Sequence, residues 1–308
     1  MTMAENESIR AAAFEYVARL ESANDGYLRR ADLEQGFVYK GRRVPLQGPQ
    51  GIFKPAILSD APLSITTVPI REGRPRPYED EFGADGLIRY RYRGEDPRHH
   101  ENEGLRHAWR QRIPIIYFHG VRPGIYLAAY PAFIVGDDPE GLTFTVAVDD
   151  ARLLLSPEIE GVREDEALGR RRYVTSTVVQ RLHQKDFRSR VLSAYREACA
   201  VCLLRHQELL DAAHILGDRD PRGEPWVSNG LCLCKIHHAA FDANILGVRP
   251  DLVIEIRPDV LREVDGPMLT HGLQRLHGSA LARIPGSKRL KPKSEFLEIR
   301  YARFREAS

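Results

Sequence analysis

The residues of this chain that could do chemistry crowd into one stretch. Cys199-Ala-Val-Cys202 is a C-x-x-C pair, and Cys234-Lys-Ile-His237 repeats that spacing later in the chain with an imidazole in place of one thiolate. Each pair can grip one side of a tetrahedral ion from a tight knuckle, and the two together supply the four ligands of a closed, structural zinc site. A redox C-x-x-C accounts only for the first pair, and no strand pattern precedes it. All four cysteines lie between positions 199 and 234, which favours metal over disulfides. Cys232, outside both pairs, alternates with Leu231 and Leu233 in GLCLC. It reads as a small buried hydrophobe, with a ligand role left open as the alternative.

Between the half-sites stand ELLDAAHI, a loop GDRDPRGEPW, then VSNGLCLC and KIHHAAFD. His214, Asn229 and His238, in this order and with these flanks, resemble the HNH (ββα-metal) nuclease family, in a zinc-knuckle setting similar to its McrA-type branch. The resemblance covers roughly residues 187 to 260. Phosphodiester hydrolysis needs a base to activate water, and a histidine ending a strand can serve near neutral pH. By resemblance that base is His214. A divalent ion, Mg²⁺ or Mn²⁺, must neutralise the phosphoryl oxygen and the leaving oxygen, and His238 matches the family's metal-binding histidine. Asp242 lies four residues on, on the same helical face, and is a candidate second ligand with a plain packing or capping role as the alternative. Asn229 matches the asparagine that braces the loop between the strands, although Gly230 beside it suggests a tight turn that would itself explain Asn. Relatives often carry an acid or a second histidine just before the base. This chain has Ala213 there, which leaves Asp211 as the nearest acid and a further candidate ligand. The other histidines show no paired spacing.

The elements that must carry these groups follow from pattern. Phe187 to Ala198 (FRSRVLSAYREA) has helical period and leads into the first cysteine pair. Before it, 158–186 is polar with an Arg-Arg-Arg cluster and reads as a basic linker that approaches a helix. Ser8 to Ser22 reads as an amphipathic helix, and from Tyr39 to about Asp149 short β-rich runs punctuated by Gly and Pro predict a β barrel with a helix at Asn102 to Arg112. The segment PYEDEFGADGLIRYRYRGED, followed by Glu101-Asn102, a helix and IPIIYFHGV, resembles the SRA family of modified-cytosine readers, a PUA-like barrel, over about residues 45 to 150. Base flipping requires aromatic faces and a fixed carboxylate. The resemblance implies Tyr78 and Tyr92 as the stacking pair, with Asp80 or Glu81 reading the base edge. A strand-and-turn role for these residues is the bland alternative. Tyr130-Pro131 in AAYPAF also offers an apolar cup like that of sulfur-binding domains, which read phosphorothioate DNA.

The expectation is therefore an α+β chain: an SRA-like domain (1–157) with its N-terminal helix, a linker (158–186) and an HNH domain with a structural zinc knuckle (187–308). Its implied activity is a modification-dependent, type IV-like restriction endonuclease that flips a modified cytosine, such as 5-methylcytosine, in double-stranded DNA. The rivals are a phosphorothioate-dependent nuclease, a nuclease indifferent to modification, and a non-catalytic reader. Cutting both strands with one HNH site implies a homodimer or a recruited second copy. The net charge of +2 does not argue for nucleic acid, but basic residues crowd Arg163–Arg190 and Arg283–Arg305, on both sides of the nuclease segment. No apolar run reaches the roughly 18 residues of a membrane span. MTMAENESIR lacks the features of a secretory signal, so the expected compartment is the cytoplasm.

Overall fold

The computed structural model describes residues 2–69, 85–149, 164–217 and 220–307. The chain divides into two compact units, Met1–Leu182 and His183–Ser308.

In the first unit, helix α1 (Met3–Ala23) is followed by strand β1 (Leu28–Arg29), helix α2 (Arg30–Gln35), and strands β2 (Phe37–Tyr39), β3 (Arg42–Val44), β4 (Ile52–Phe53), β5 (Ser64–Thr66) and β6 (Ile88–Arg91). Helix α3 (His100–Arg110) then leads to β7 (Ile115–Arg122), β8 (Ile125–Asp138) and β9 (Thr143–Val148), and helix α4 (Glu164–Ala194) carries the boundary between the units. One sheet runs in the order β4-β5-β7-β8-β9-β6, with β1 added beside β8. Its end strands β4 and β6 do not pair with each other among the described residues, so the sheet is a curled half-barrel rather than the closed barrel expected. β8 is the spine: it pairs with β7 and β9, and register shifts between Ile115 and Tyr117, Gly120 and Arg122, and Ile134 and Gly136 mark the bulges that bend such strands.

Strand β7 shows why the run IIYF is apolar without alternation. Ile115 and Tyr117 join one core with Leu105, Ala108, Val179 and Leu182, while Ile116 and Phe118 join a second core with Ile9, Ala13 and Val17. Successive side chains of a strand point to opposite faces, and here helices cover both. α1 begins at Met3, earlier than the periodicity suggested, because Thr2 and Glu5 close a capping box.

The segment read as a basic linker is helical from Glu164 onward. Its Thr175 is fully buried, and the Thr175 hydroxyl accepts from Val148 N–H at 2.8 Å and donates to Val148 O at 3.2 Å. Arg170 and Arg171 pair with the buried Asp149 at 3.4 and 2.9 Å. Part of the Arg-Arg-Arg cluster is thus spent on an internal ion pair rather than held out for phosphate. Among the described residues no helix is long and apolar enough to cross a membrane.

The second unit is built on a hairpin of β10 (Leu210–His214) and β11 (Gly230–Cys234), followed by helix α5 (Lys235–Asp242), strands β12 (Leu246–Val248) and β13 (Ile254–Ile256), and helices α6 (Pro258–Arg262), α7 (Pro267–Gly272) and α8 (Ser294–Glu306). Phe187, Val191 and Leu192 of α4, and Tyr195 just beyond it, pack with Leu231, Leu233, Phe241 and Leu297 in a single core. The molecule as described is mixed α+β.

Candidate metal centre and catalytic groups

The two cysteine half-sites meet. The ligand atoms of Cys199, Cys202, Cys234 and His237 all lie within 4.8 Å of one another. Cys234 Sγ is 3.1 Å and Cys199 Sγ 3.5 Å from His237 Nδ1, and the Cys202 and Cys234 sulfurs are 3.9 Å apart. The loop after α4 makes the knuckle: Cys199 N–H donates to Leu204 O at 2.9 Å, and Cys234 N–H donates to Cys199 Sγ at 3.2 Å. His237 Nε2 lies 2.8 Å from Gly272 O. That carbonyl can only accept, so Nε2 carries the proton and the Nδ1 lone pair is left to face the sulfurs, the usual outer support of a ligating imidazole. Three of the four residues are buried. This cluster can hold a metal such as zinc. Cys232 is outside it, fully buried in the core, where desolvation pushes its thiol up to about 12.

His214 ends β10, directly opposite Gly230. Its half-buried ring stacks on Phe187, with centroids 4.0 Å apart and planes 14° from parallel. Asn229 is fully buried and uses its whole amide on the connection that leaves His214. Its Oδ1 accepts from Leu216 N–H at 2.9 Å, while its Nδ2 donates to Leu216 O at 2.9 Å and Glu224 O at 3.1 Å. Its own carbonyl accepts from Ile215 N–H at 2.9 Å. The tight turn suggested beside Gly230 is there, a single 3₁₀ turn over Val227–Asn229 closed by the Gly230 N–H on Val227 O, while Gly230 itself is extended, at φ −131°. Glycine is needed because a Cβ would sit 2.6 Å from Val191 Cγ2 and 2.8 Å from Phe187 Cζ. It lets α4 press against the strand pair and bring Phe187 under the histidine.

His238 on α5 lies between two carboxylates. Asp211 Oδ2 is 3.5 Å from its Nδ1 and Asp242 Oδ2 is 3.3 Å from its Nε2. The hydrogen bond to Asp211 raises the His238 pKa, and the same contact holds Asp211 below the usual carboxylate range. Asp211 is anchored by Ala212 N–H at 2.9 Å and has Arg188 Nε at 3.8 Å. Arg188 in turn donates to Gln207 O at 2.9 Å and Leu210 O at 3.1 Å. Strand alternation puts Asp211 on the face of Ala213. Ala213 itself is fully buried and offers no donor, so the two candidate acids of the sequence converge on the one candidate histidine. Arg188 and Phe187 were visible in sequence only as members of a helical, basic run; no motif marks them.

In the first unit, Tyr78, Asp80 and Glu81 lie outside the described residues. Tyr92 is buried against Phe144, with centroids 4.5 Å apart, and its hydroxyl donates to Asp137 and accepts from Arg106. With Tyr90, Gly51, Thr66, Arg93 and Gly94 it lines a cavity of about 210 Å³. A Cβ at Gly51 would stand 2.8 Å from the Tyr90 hydroxyl, so glycine keeps that side open. Tyr130 stacks on Phe14 at 5.6 Å and its hydroxyl donates to Glu21 at 2.7 Å. A carboxylate beside that ring is a poor neighbour for an anionic phosphorothioate.

Residues 199–249 match the HNH endonuclease family, so the chain carries an HNH endonuclease domain. No curated protein matches the chain. Among solved structures, the modification dependent TagI restriction endonuclease is similar at 16% identity with a TM-score of 0.30, over 79% of this chain and 82% of that one.

Proposed function

We propose that this protein is a modification-dependent DNA endonuclease in which the second unit hydrolyses the phosphodiester and the first reads a modified cytosine, 5-methylcytosine by preference. The observation that carries the hydrolytic half is the hairpin. It holds His214 at a strand end braced by Asn229, and it brings Asp211 to His238 within the segment that matches the HNH family.

An imidazole with a carboxylate is a nitrogen and oxygen donor pair of the kind that suits Mg²⁺ or Mn²⁺. Asp211 and Asp242 face different ring nitrogens of His238, so His238 would share such an ion with one of them, Asp211 in our reading. Such an ion, when bound, would supply Lewis-acid stabilisation of the charge that builds on the phosphate during hydrolysis. His214 accepts the proton of the attacking water. Its ring is kept in one plane by Phe187, and its backbone exit is fixed by Asn229, so the accepting nitrogen is held in place. The cavity lined by Tyr90 and Tyr92 supports the reading half, since a flipped base needs an aromatic-walled recess. Cutting both strands would require a second copy.

The test is His214→Ala, assayed on 5-methylcytosine and plain duplexes with Mg²⁺ or Mn²⁺. Cleavage of the methylated duplex should fall by about 10²–10⁴-fold with binding retained. No cutting of any modified duplex by the unsubstituted protein would refute the enzyme, and equal cutting of plain and methylated duplexes would refute the reader.

A further inference from the structure

Two buried polar residues, one turn apart on α3, are spent on the strand end that walls the 210 Å³ cavity. Asn102 is fully buried. Its Oδ1 accepts from Arg93 N–H at 2.8 Å, and its Nδ2 donates to Arg93 O at 3.2 Å and to Asp96 O at 3.0 Å. It thus takes both backbone groups of a residue that has left the sheet. Arg106 is 8% exposed. Its guanidinium donates to the Tyr92 hydroxyl at 2.8 Å, to Asp137 at 2.7 Å, to Glu103 at 2.6 Å and to Pro97 O at 2.6 Å. The charge also lies 5.3 Å from the Tyr92 ring centroid.

Packing a helix on a sheet needs none of this. Leu105 and Ala108 already supply apolar contacts to that core, and burying an amide and a guanidinium costs stability unless every group is paired. Here the pairing is directed at Tyr92, Arg93, Asp96 and Pro97, and the first two of these line the cavity together with Gly94. The Tyr92 ring can neither rotate its hydroxyl away from Arg106 and Asp137 nor slide along the strand without breaking both bonds.

We infer that Asn102 and Arg106 are positioning residues for the cavity, holding Tyr92, Arg93 and Gly94 as a preformed wall for a planar, nucleobase-type ring. This rests on the cavity being the reading site proposed above. Preformed walls favour a ligand because the ordering is complete before binding.

The test uses the full chain, without added Mg²⁺ so that cutting does not interfere, and compares binding to a 5-methylcytosine duplex and the same duplex unmodified. Asn102→Ala should lower the preference for the methylated duplex by about tenfold or more, since small displacements of a binding wall are costly, while binding to the plain duplex stays within about twofold of the parent. Arg106→Lys keeps the charge beside Asp137 but loses the planar fork, and should lower the preference in the same sense. It carries the test if Asn102→Ala fails to melt cooperatively. Unchanged preference in a folded variant would overturn this inference alone. An unsubstituted protein with no preference between the duplexes would overturn the reading site, and this inference with it.

Discussion

His237 and His238 are neighbours on one helix, yet their surroundings follow opposite rules. His237 is buried among three cysteines, its far nitrogen tied to the Gly272 carbonyl, so the donor set is complete and closed. His238 is half-buried, with Asp211 and Asp242 at its two nitrogens and Asp242 exposed to solvent. Thiolates and a closed tetrahedron make a fold-holding site, whereas oxygen donors and open positions leave room for water and substrate. On the proposed reading, two successive residues of one helix would thus put a site that organises the fold beside a site suited to a reaction.

If the first site holds the fold, breaking it should have the largest effect. Cys234→Ser should remove the zinc and with it the cooperative folding of His183–Ser308, because structural zinc binding in small domains is worth on the order of 10 kcal/mol, comparable to the whole stability of a domain. Metal analysis together with circular dichroism checks this, and a folded, zinc-free variant would remove the distinction. If the second site is catalytic, Asp211→Asn should leave zinc content and melting unchanged but weaken Mn²⁺ binding by at least the roughly 10–100-fold that loss of a mere outer partner costs, since Asp211 is the proposed carboxylate ligand. Titration of Mn²⁺ into the zinc-loaded protein reads it directly. The smallest effect falls on the scaffold shared by both sites. Gly230→Ala forces a methyl into contact with Val191 and Phe187, and should cost about 1–3 kcal/mol of stability in a urea titration, without loss of zinc.

How much of this was legible beforehand follows the range of the interactions. The Cys3His set was readable because both half-sites are local, and Asp242 because a helix places residues four apart on one face. Asp211 was reachable only as the nearest acid, since its contact with His238 depends on how α5 packs on β10. Gly230 was half legible: the turn that an asparagine beside a glycine signals is present at Val227–Asn229, whereas the close approach of Phe187 and Val191 that requires glycine itself is revealed only by packing. The helix begun at Glu164 was hidden by its charge, because its burial rests on Thr175, Val179 and Leu182 meeting strands far away in sequence. The strands of the expected barrel were legible in their short apolar runs, whereas the half-barrel curl seen among the described residues depends on pairings between distant strands, which no local pattern encodes.

The most direct test of the division between the two histidines is His238→Ala, with zinc content and cleavage of methylated DNA measured on the same preparation. The account predicts one zinc per chain and a parental melting curve, with cleavage lost. Loss of zinc, or cleavage at the parental rate, would contradict it.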